Sequence, residues 1–250
     1  MFSSMLVTRS PALPRSARLK SPPKGNGTTS ESVWHCLHSL RRLLSPNFAV
    51  STVTANAVLK EPWMSTCALF VLPGGADLPY CRTFNGAGNR KIAQYVRQGG
   101  SFIGFCAGGY YGSKQCEFEP ESLALAVVGS RELAFFPGTC RGAAFAGFQY
   151  ASESGARAPV LAVPALVDGE EAFSFRCYFN GGGVFVDAEK FRDHGVEVLA
   201  NYEGELDVDG GEGKAAVIYR KIGEGGVVLT GPHPEYFFLR FFGGLAADWC

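Results

Sequence analysis

Ser101-Phe102-Ile103-Gly104-Phe105-Cys106-Ala107-Gly108-Gly109-Tyr110 decides how the rest of the chain is read. Ser101–Phe105 has the short apolar run of a buried strand. It ends in a glycine-lined turn leading into small residues able to start a helix. This is a nucleophile elbow with cysteine in the serine position. The glycines let backbones approach closely, and a helix N-terminus favours the thiolate over the thiol. Taken alone, Gly-x-Cys-x-Gly would serve equally well as a small apolar residue in a strand–helix turn, so the flanking sequence has to decide.

Upstream, Cys67–Leu72 is a continuous apolar run stopped by Pro73-Gly74-Gly75-Ala76-Asp77, as expected of a strand buried on both faces. Between the two strands, Asn89–Gln98 places Ile92, Tyr95 and Val96 at helical spacing, with Gly99-Gly100 closing the helix. Earlier still, Thr28 and Glu31 make a capping box before a helix carrying Val33, Leu37, Leu40 and Leu44. Ser45-Pro46 stops that helix, and Phe48–Thr54 reads as a strand. Alternating strands and helices in this order predict a doubly wound α/β domain with a mostly parallel sheet. After about residue 130 short strands predominate, with Leu133–Phe136, Phe173–Phe179, Val184–Asp187 and Val196–Tyr202 as candidates. Ala215–Ile222 and Val227–Thr230, joined by Gly223-Glu224-Gly225-Gly226, predict a hairpin.

Two further segments sit where a parallel sheet binds ligands, at strand carboxyl ends. Gly231-Pro232-His233-Pro234-Glu235 follows the last strand, and in extended chain residues i and i+2 point the same way. Glu235 is thus placed to orient the His233 imidazole as a general base, the prolines stiffening both flanks. In the Pro73–Asp77 turn, the Gly75 amide is placed to join that of Ala107 as an oxyanion donor. Together the three segments define a candidate Cys106–His233–Glu235 site.

Composition narrows the function classes. The 250 residues are 46% hydrophobic and 18% charged, with no apolar run near the roughly 18 residues of a membrane-spanning helix. Lys and Arg number 23, matching 23 Asp and Glu. Five cations and no acid fall within residues 1–30 (Arg9, Arg15, Arg18, Lys20, Lys24), which leaves the remainder at net −5. That disfavours a nucleic-acid partner, and no membrane partner is expected either. Eight cysteines without a CxxC or repeated spacing do not make a disulfide framework or a zinc site, and no cofactor motif is present. His35-Cys36-Leu37-His38 is the nearest approach to a metal pair and reads better as a polar helix surface. A cytoplasmic protein is expected, with a mitochondrial one as the alternative if the proline- and arginine-rich residues 1–24 are a transit segment.

The long stretches Glu61-Pro62-Trp63-Met64, Val71–Tyr80, Gly104–Tyr110, Gly129-Ser130-Arg131, Phe135–Thr139, Gly147-Phe148-Gln149-Tyr150, Tyr178–Gly182 and Leu229–Glu235 carry a resemblance. They resemble the N-terminal domain of fungal-type biotin–protein ligases, a branch of the class I glutamine amidotransferase-like superfamily. The resemblance implies a flavodoxin-like α/β fold over about residues 25–236, and an association with biotin attachment. By analogy with the superfamily triad, Cys106 is nucleophile, His233 base and Glu235 orienter. Arg131, Gln149 and Asn180, each inside a family-like motif, are expected near the substrate.

Two departures stand out. Where the family has a short apolar strand before the glycine loop Gly25–Thr28, this chain has Ser21-Pro22-Pro23-Lys24, and prolines do not serve in a central strand. Residues 1–24 are therefore expected to be a disordered or aberrant tail, with Met5–Thr8 at best a partial substitute, and residues 237–250 a C-terminal tail. The ligase catalytic domain with its adenylate loop is absent, so biotin ligation by this chain alone is not expected; a truncated product and a stand-alone paralogue both fit. Two functions stand side by side: a regulatory or ligand-binding module taking a biotin-related ligand or the ligase catalytic domain as partner, and a cysteine-dependent, glutaminase-like amidase. Glyoxalase- or peptidase-like chemistry is a third, weaker option.

Overall fold

The computed structural model describes residues 3–9, 30–165, 171–210 and 213–236. In chain order the elements are β1 (Ser3–Arg9), α1 (Ser30–Leu44), β2 (Phe48–Thr54), α2 (Ala55–Lys60), β3 (Cys67–Leu72), α3 (Leu78–Phe84), α4 (Ala87–Arg97), β4 (Ser101–Phe105) and α5 (Ala107–Gly112). There follow β5 (Ser113–Phe118), β6 (Val127–Ser130), β7 (Phe136–Gly142), β8 (Val160–Val163), β9 (Phe173–Arg176), β10 (Val184–Phe185), a 3-10 segment (Ala188–His194), β11 (Val196–Tyr202), β12 (Ala215–Ile222) and β13 (Gly225–Thr230). A 3-10 turn, Pro234–Tyr236, closes the described chain.

Nine strands form one sheet in the order β2-β1-β3-β4-β13-β12-β11-β8-β9, and a second sheet runs β10-β7-β5-β6. β3, β4 and β13 pair in parallel, with Leu72 beside Gly104 and Phe105 beside Thr230. This register brings three strand ends level, so the segments that follow them emerge together. From β12 outward the pairing is antiparallel.

Helices cover both faces of the parallel centre. On one face α1 buries Val33, Cys36, Leu37 and Leu40 against Met5, Val7, Val50, Val71 and Phe105. On the other, Tyr80, Phe84, Ile92, Tyr95 and Val96 pack on Phe70, Leu72 and Phe102. Trp63 locks into that second layer, its indole N–H donating to the Val58 carbonyl at 2.8 Å.

The expected strands Phe48–Thr54, Cys67–Leu72, Ser101–Phe105, Val196–Tyr202 and Ala215–Ile222 all form. The hairpin is tighter than expected: Gly225 and Gly226 join the ladder opposite Ile222 and Lys221, leaving Gly223-Glu224 as the turn. Gly223 sits at φ +59, as the first position of a type II′ turn requires. Other expectations need correction. Leu133–Phe136 is not a strand, because Ala134 turns left-handed at φ 45 and only Phe136 begins β7. The expected strand Val184–Asp187 stops at Phe185, with Asp187 left-handed at φ 52, and Phe173–Phe179 stops at Arg176.

The larger correction concerns the N-terminus. The sheet does not lack an interior strand: β1 lies between β2 and β3, antiparallel to both. Met5 and Val7 face the α1 layer while Leu6 joins the opposite core, so both faces of β1 are buried. The expectation of a disordered or aberrant tail over residues 1–24 therefore fails at Ser3–Arg9. Ser21–Lys24, the capping residue Thr28 and the segment 237–250 lie outside the described residues.

Candidate active site

Cys106 stands between β4 and α5 at φ 47, ψ −100, a left-handed conformation costly for a residue with a side chain. Its surroundings hold it there. Its amide donates to the Thr230 carbonyl of β13 at 2.9 Å, and its own carbonyl accepts from the Tyr110 amide at 3.0 Å. The flanking glycines are required by close approach: a Cβ on Gly108 would overlap the Leu72 carbonyl oxygen, and one on Gly109 would come within 2.6 Å of the Thr230 oxygen. α5 is thereby pressed against the ends of β3 and β13.

His233 arrives from the end of β13. Its amide donates to the Tyr178 carbonyl at 2.8 Å, and the Thr230 hydroxyl donates to the Pro232 carbonyl at 2.7 Å. The imidazole Nδ1 meets Glu235 Oε1 at 2.8 Å, which leaves Nε2 for the Cys106 thiol. Cys106, His233 and Glu235 are 6%, 5% and 4% exposed, so their charges act on one another with little solvent between them. Burial pushes the His233 pKa down, but the Glu235 carboxylate and the Cys106 sulfur outweigh it and raise the pKa to about 10. The imidazolium is therefore the favoured form at neutral pH, held between a carboxylate and a sulfur.

Gly74 walls the imidazole so closely that a Cβ there would overlap Cε1. Behind these three residues, Ser39 donates to the Glu235 carbonyl at 2.6 Å, and the Cys36 thiol interacts with the Glu235 carboxylate. Burial, followed by that carboxylate, raises the Cys36 pKa well above its ordinary value. Tyr236 stacks between His35 (3.8 Å between centroids) and Tyr178 (4.5 Å), bracing the loop from outside. His35 is thus a packed core histidine, and His38 stacks on Trp34. Among the described residues no cluster of His, Cys, Asp and Glu could hold a metal ion.

A cleft of about 40 Å³ opens at Cys106. Gly75 and Ala107, the expected oxyanion donors, both line it, and Gly75 adopts φ 138. Ala107 opens α5, where first-turn amides have no helical acceptor. Of the expected substrate residues, Asn180 lines the cleft, and its carbonyl accepts from Cys106 Sγ at 3.9 Å. Arg131 stands behind the wall instead: its Nε pairs with Asp77 at 2.7 Å, and Asp77 is the lining residue. Gln149 is exposed between Phe148 and Tyr150, and it is these two neighbours, not Gln149, that line the cleft. Sequence reading passed over Asp77, Tyr110, Phe118, Phe148 and Tyr150 as lining residues. Asp77 had a signal, since it ends the Pro-Gly-Gly turn, and Tyr110, Phe148 and Tyr150 lie in the stretches that carry the resemblance; Phe118 had none. A larger concavity of about 990 Å³ lies at the other end of the sheet around Met64, Tyr95 and Ser101, but among the described residues no histidine or carboxylate lines it.

The fold is that of the glutamine amidotransferases. A solved glutamine amidotransferase superposes with a TM-score of 0.54 at 19% identity, covering 84% of this chain and 87% of its own. Within that class the chain belongs to the family described as "Biotin-protein ligase, N terminal", whose model matches residues 23–241. A biotin–protein ligase of Schizosaccharomyces pombe is 44% identical over 214 residues, 85% of this chain but 32% of that protein. An uncharacterized protein of Chlamydia muridarum is 40% identical over 212 residues, 82% of this chain and 76% of its own length. The chain thus spans about a third of the first relative and about three-quarters of the second. No helix among the described residues is long and apolar enough to cross a membrane.

Proposed function

We propose that this domain carries a working cysteine nucleophile that cleaves an amide through a thioester. The observation that carries this reading is the buried His233–Glu235 pair at 2.8 Å beside a cysteine held in a left-handed elbow. A core cysteine needs neither a strained backbone nor an imidazole oriented by a carboxylate. In the proposed reaction the Cys106 thiolate attacks the carbonyl carbon and forms the C–S bond, while the carbonyl electrons move onto oxygen, facing the Gly75 and Ala107 amides. The imidazolium of His233 gives its proton to the leaving nitrogen as the C–N bond breaks. Water then attacks the thioester, its proton passing to His233, and the acid leaves with Cys106 again a thiolate.

A second reading rests on a different observation, the 44% identity to a biotin–protein ligase of which this chain spans only a third. On that reading the domain is a regulatory or ligand-binding module of biotin attachment, its cleft taking a biotin-related ligand or its surface the ligase catalytic domain. One experiment separates the two. Incubation with simple amides followed by intact-protein mass measurement should reveal an acyl adduct that disappears in Cys106→Ala. Thermal stabilisation by biotin or biotinyl-adenylate, undiminished in Cys106→Ala and without any adduct, would favour the binding module.

A further inference from the structure

From the walls of the cleft we infer that the acyl part of the substrate is an uncharged, apolar chain or ring, and not a free amino acid such as glutamine. This rests on the reading of Cys106 as an acyl-accepting nucleophile and specifies what it accepts. Beyond Cys106, the cleft is lined by Tyr110, Cys116, Phe118, Val127, Phe148 and Tyr150. Their polar atoms are largely engaged within the protein: Tyr110 Oη donates to the Gly181 carbonyl at 3.2 Å, and Cys116 Sγ to the Val127 carbonyl at 3.4 Å. Phe118 and Phe148 meet edge to face at 5.1 Å, and Phe148 and Tyr150 at 5.0 Å, forming a continuous aromatic wall.

Charge argues the same way. Among the described residues no lysine or arginine lines the cleft, and the one carboxylate that does, Asp77, is held by Arg131 at 2.7 Å. An α-carboxylate entering here would meet aromatic rings and a like charge, with no cation to replace its water. An α-ammonium would have to compete with Arg131 for Asp77. What the cleft does offer a neutral amide is an acceptor: Asn180 Oδ1 is buried with no hydrogen-bond partner among the described residues, while Nδ2 of the same side chain donates to the Ser152 carbonyl at 3.1 Å. A neutral amide N–H would satisfy that oxygen.

The test uses two chloromethyl ketones of similar length on the full chain, one ending in a phenyl ring and one carrying the α-amino-acid head of glutamine. In each, the thiolate attacks the chloromethyl carbon, the C–S bond forms and chloride leaves, so mass measurement of the Cys106 peptide gives the rate. The phenyl reagent should label at least tenfold faster, and Phe148→Ser, with each rate taken relative to iodoacetamide labelling of the same variant, should erase that preference. An equal or greater rate with the glutamine analogue overturns the proposal, whatever Phe148→Ser does. Failure of iodoacetamide itself to label Cys106 would instead sink the nucleophile reading, and the proposal with it.

Discussion

The two sides of β3 are built differently. On the side of β4 and β13, backbone lies against backbone: Gly108 abuts the Leu72 carbonyl and Gly109 the Thr230 carbonyl, so position is set by atoms that cannot rotate away. On the side of β1 and β2, contact runs through side chains: Met5, Leu6 and Val7 fill space left by α1 and by the opposite layer. The first kind of packing specifies one sequence of glycines and one strand direction. The second asks only for apolar residues at a period that buries both faces, and it accepts a strand running against its neighbours. The candidate site sits on the side with no slack, and the proposed reaction would need close placement of Cys106 against His233.

The sharpest way to break this contrast is at Gly108. Gly108→Val should cost about 4–5 kcal/mol or more, because the new side chain meets the Leu72 carbonyl and not a movable group. A urea midpoint within error of wild type would show that α5 is not held by backbone contact. Next comes Arg131→Met, which leaves the buried Asp77 carboxylate without its partner and should cost about 3–5 kcal/mol. Restoration of stability in the double variant Arg131→Met, Asp77→Leu would confirm that the uncompensated charge is the cause. Smaller again is Met5→Ala on the adaptable side, expected at about 2–4 kcal/mol from the cavity it leaves. Met5→Leu should be nearly neutral there, and if it proved as damaging as Met5→Ala, β1 would be as tightly specified as α5.

The contrast also explains what could be read in advance. β3, β4 and the three segments at the strand ends were legible because glycine, proline and apolar runs punctuate the chain where backbones pack closely. Cys106, His233, Glu235, Gly75 and Ala107 share one locus because the parallel register levels their strands, a consequence of the strand order itself. β1 was not legible because Ser3–Arg9 has apolar residues only at its centre, Met5-Leu6-Val7, between polar flanks, and a proline-rich segment separates it from the first helix. Gly75, Ala107 and Asn180 were legible as parts of the cleft, but its aromatic and aliphatic walls were not. Phe118, Val127 and Phe148 belong to β5, β6 and a loop, and only the tertiary fold brings them to Cys106. Gln149 failed as a lining residue for a related reason: Phe148 and Tyr150 on either side of it line the cleft, and it faces solvent.

The central claim is that His233, oriented by Glu235, makes Cys106 the reactive thiol among the described cysteines. Burial raises the pKa of the thiols of Cys36, Cys67, Cys81, Cys116, Cys140 and Cys177, which leaves them poor nucleophiles at neutral pH. Limited alkylation with iodoacetamide at neutral pH, followed by peptide mass mapping of wild type, His233→Ala and Glu235→Gln, tests the claim directly. Cys106 should be labelled first among the seven described cysteines in the wild type, should lose that lead in His233→Ala, and should keep part of it in Glu235→Gln. Equal labelling of Cys106 in wild type and His233→Ala would contradict the account and leave Cys106 as a residue of the core.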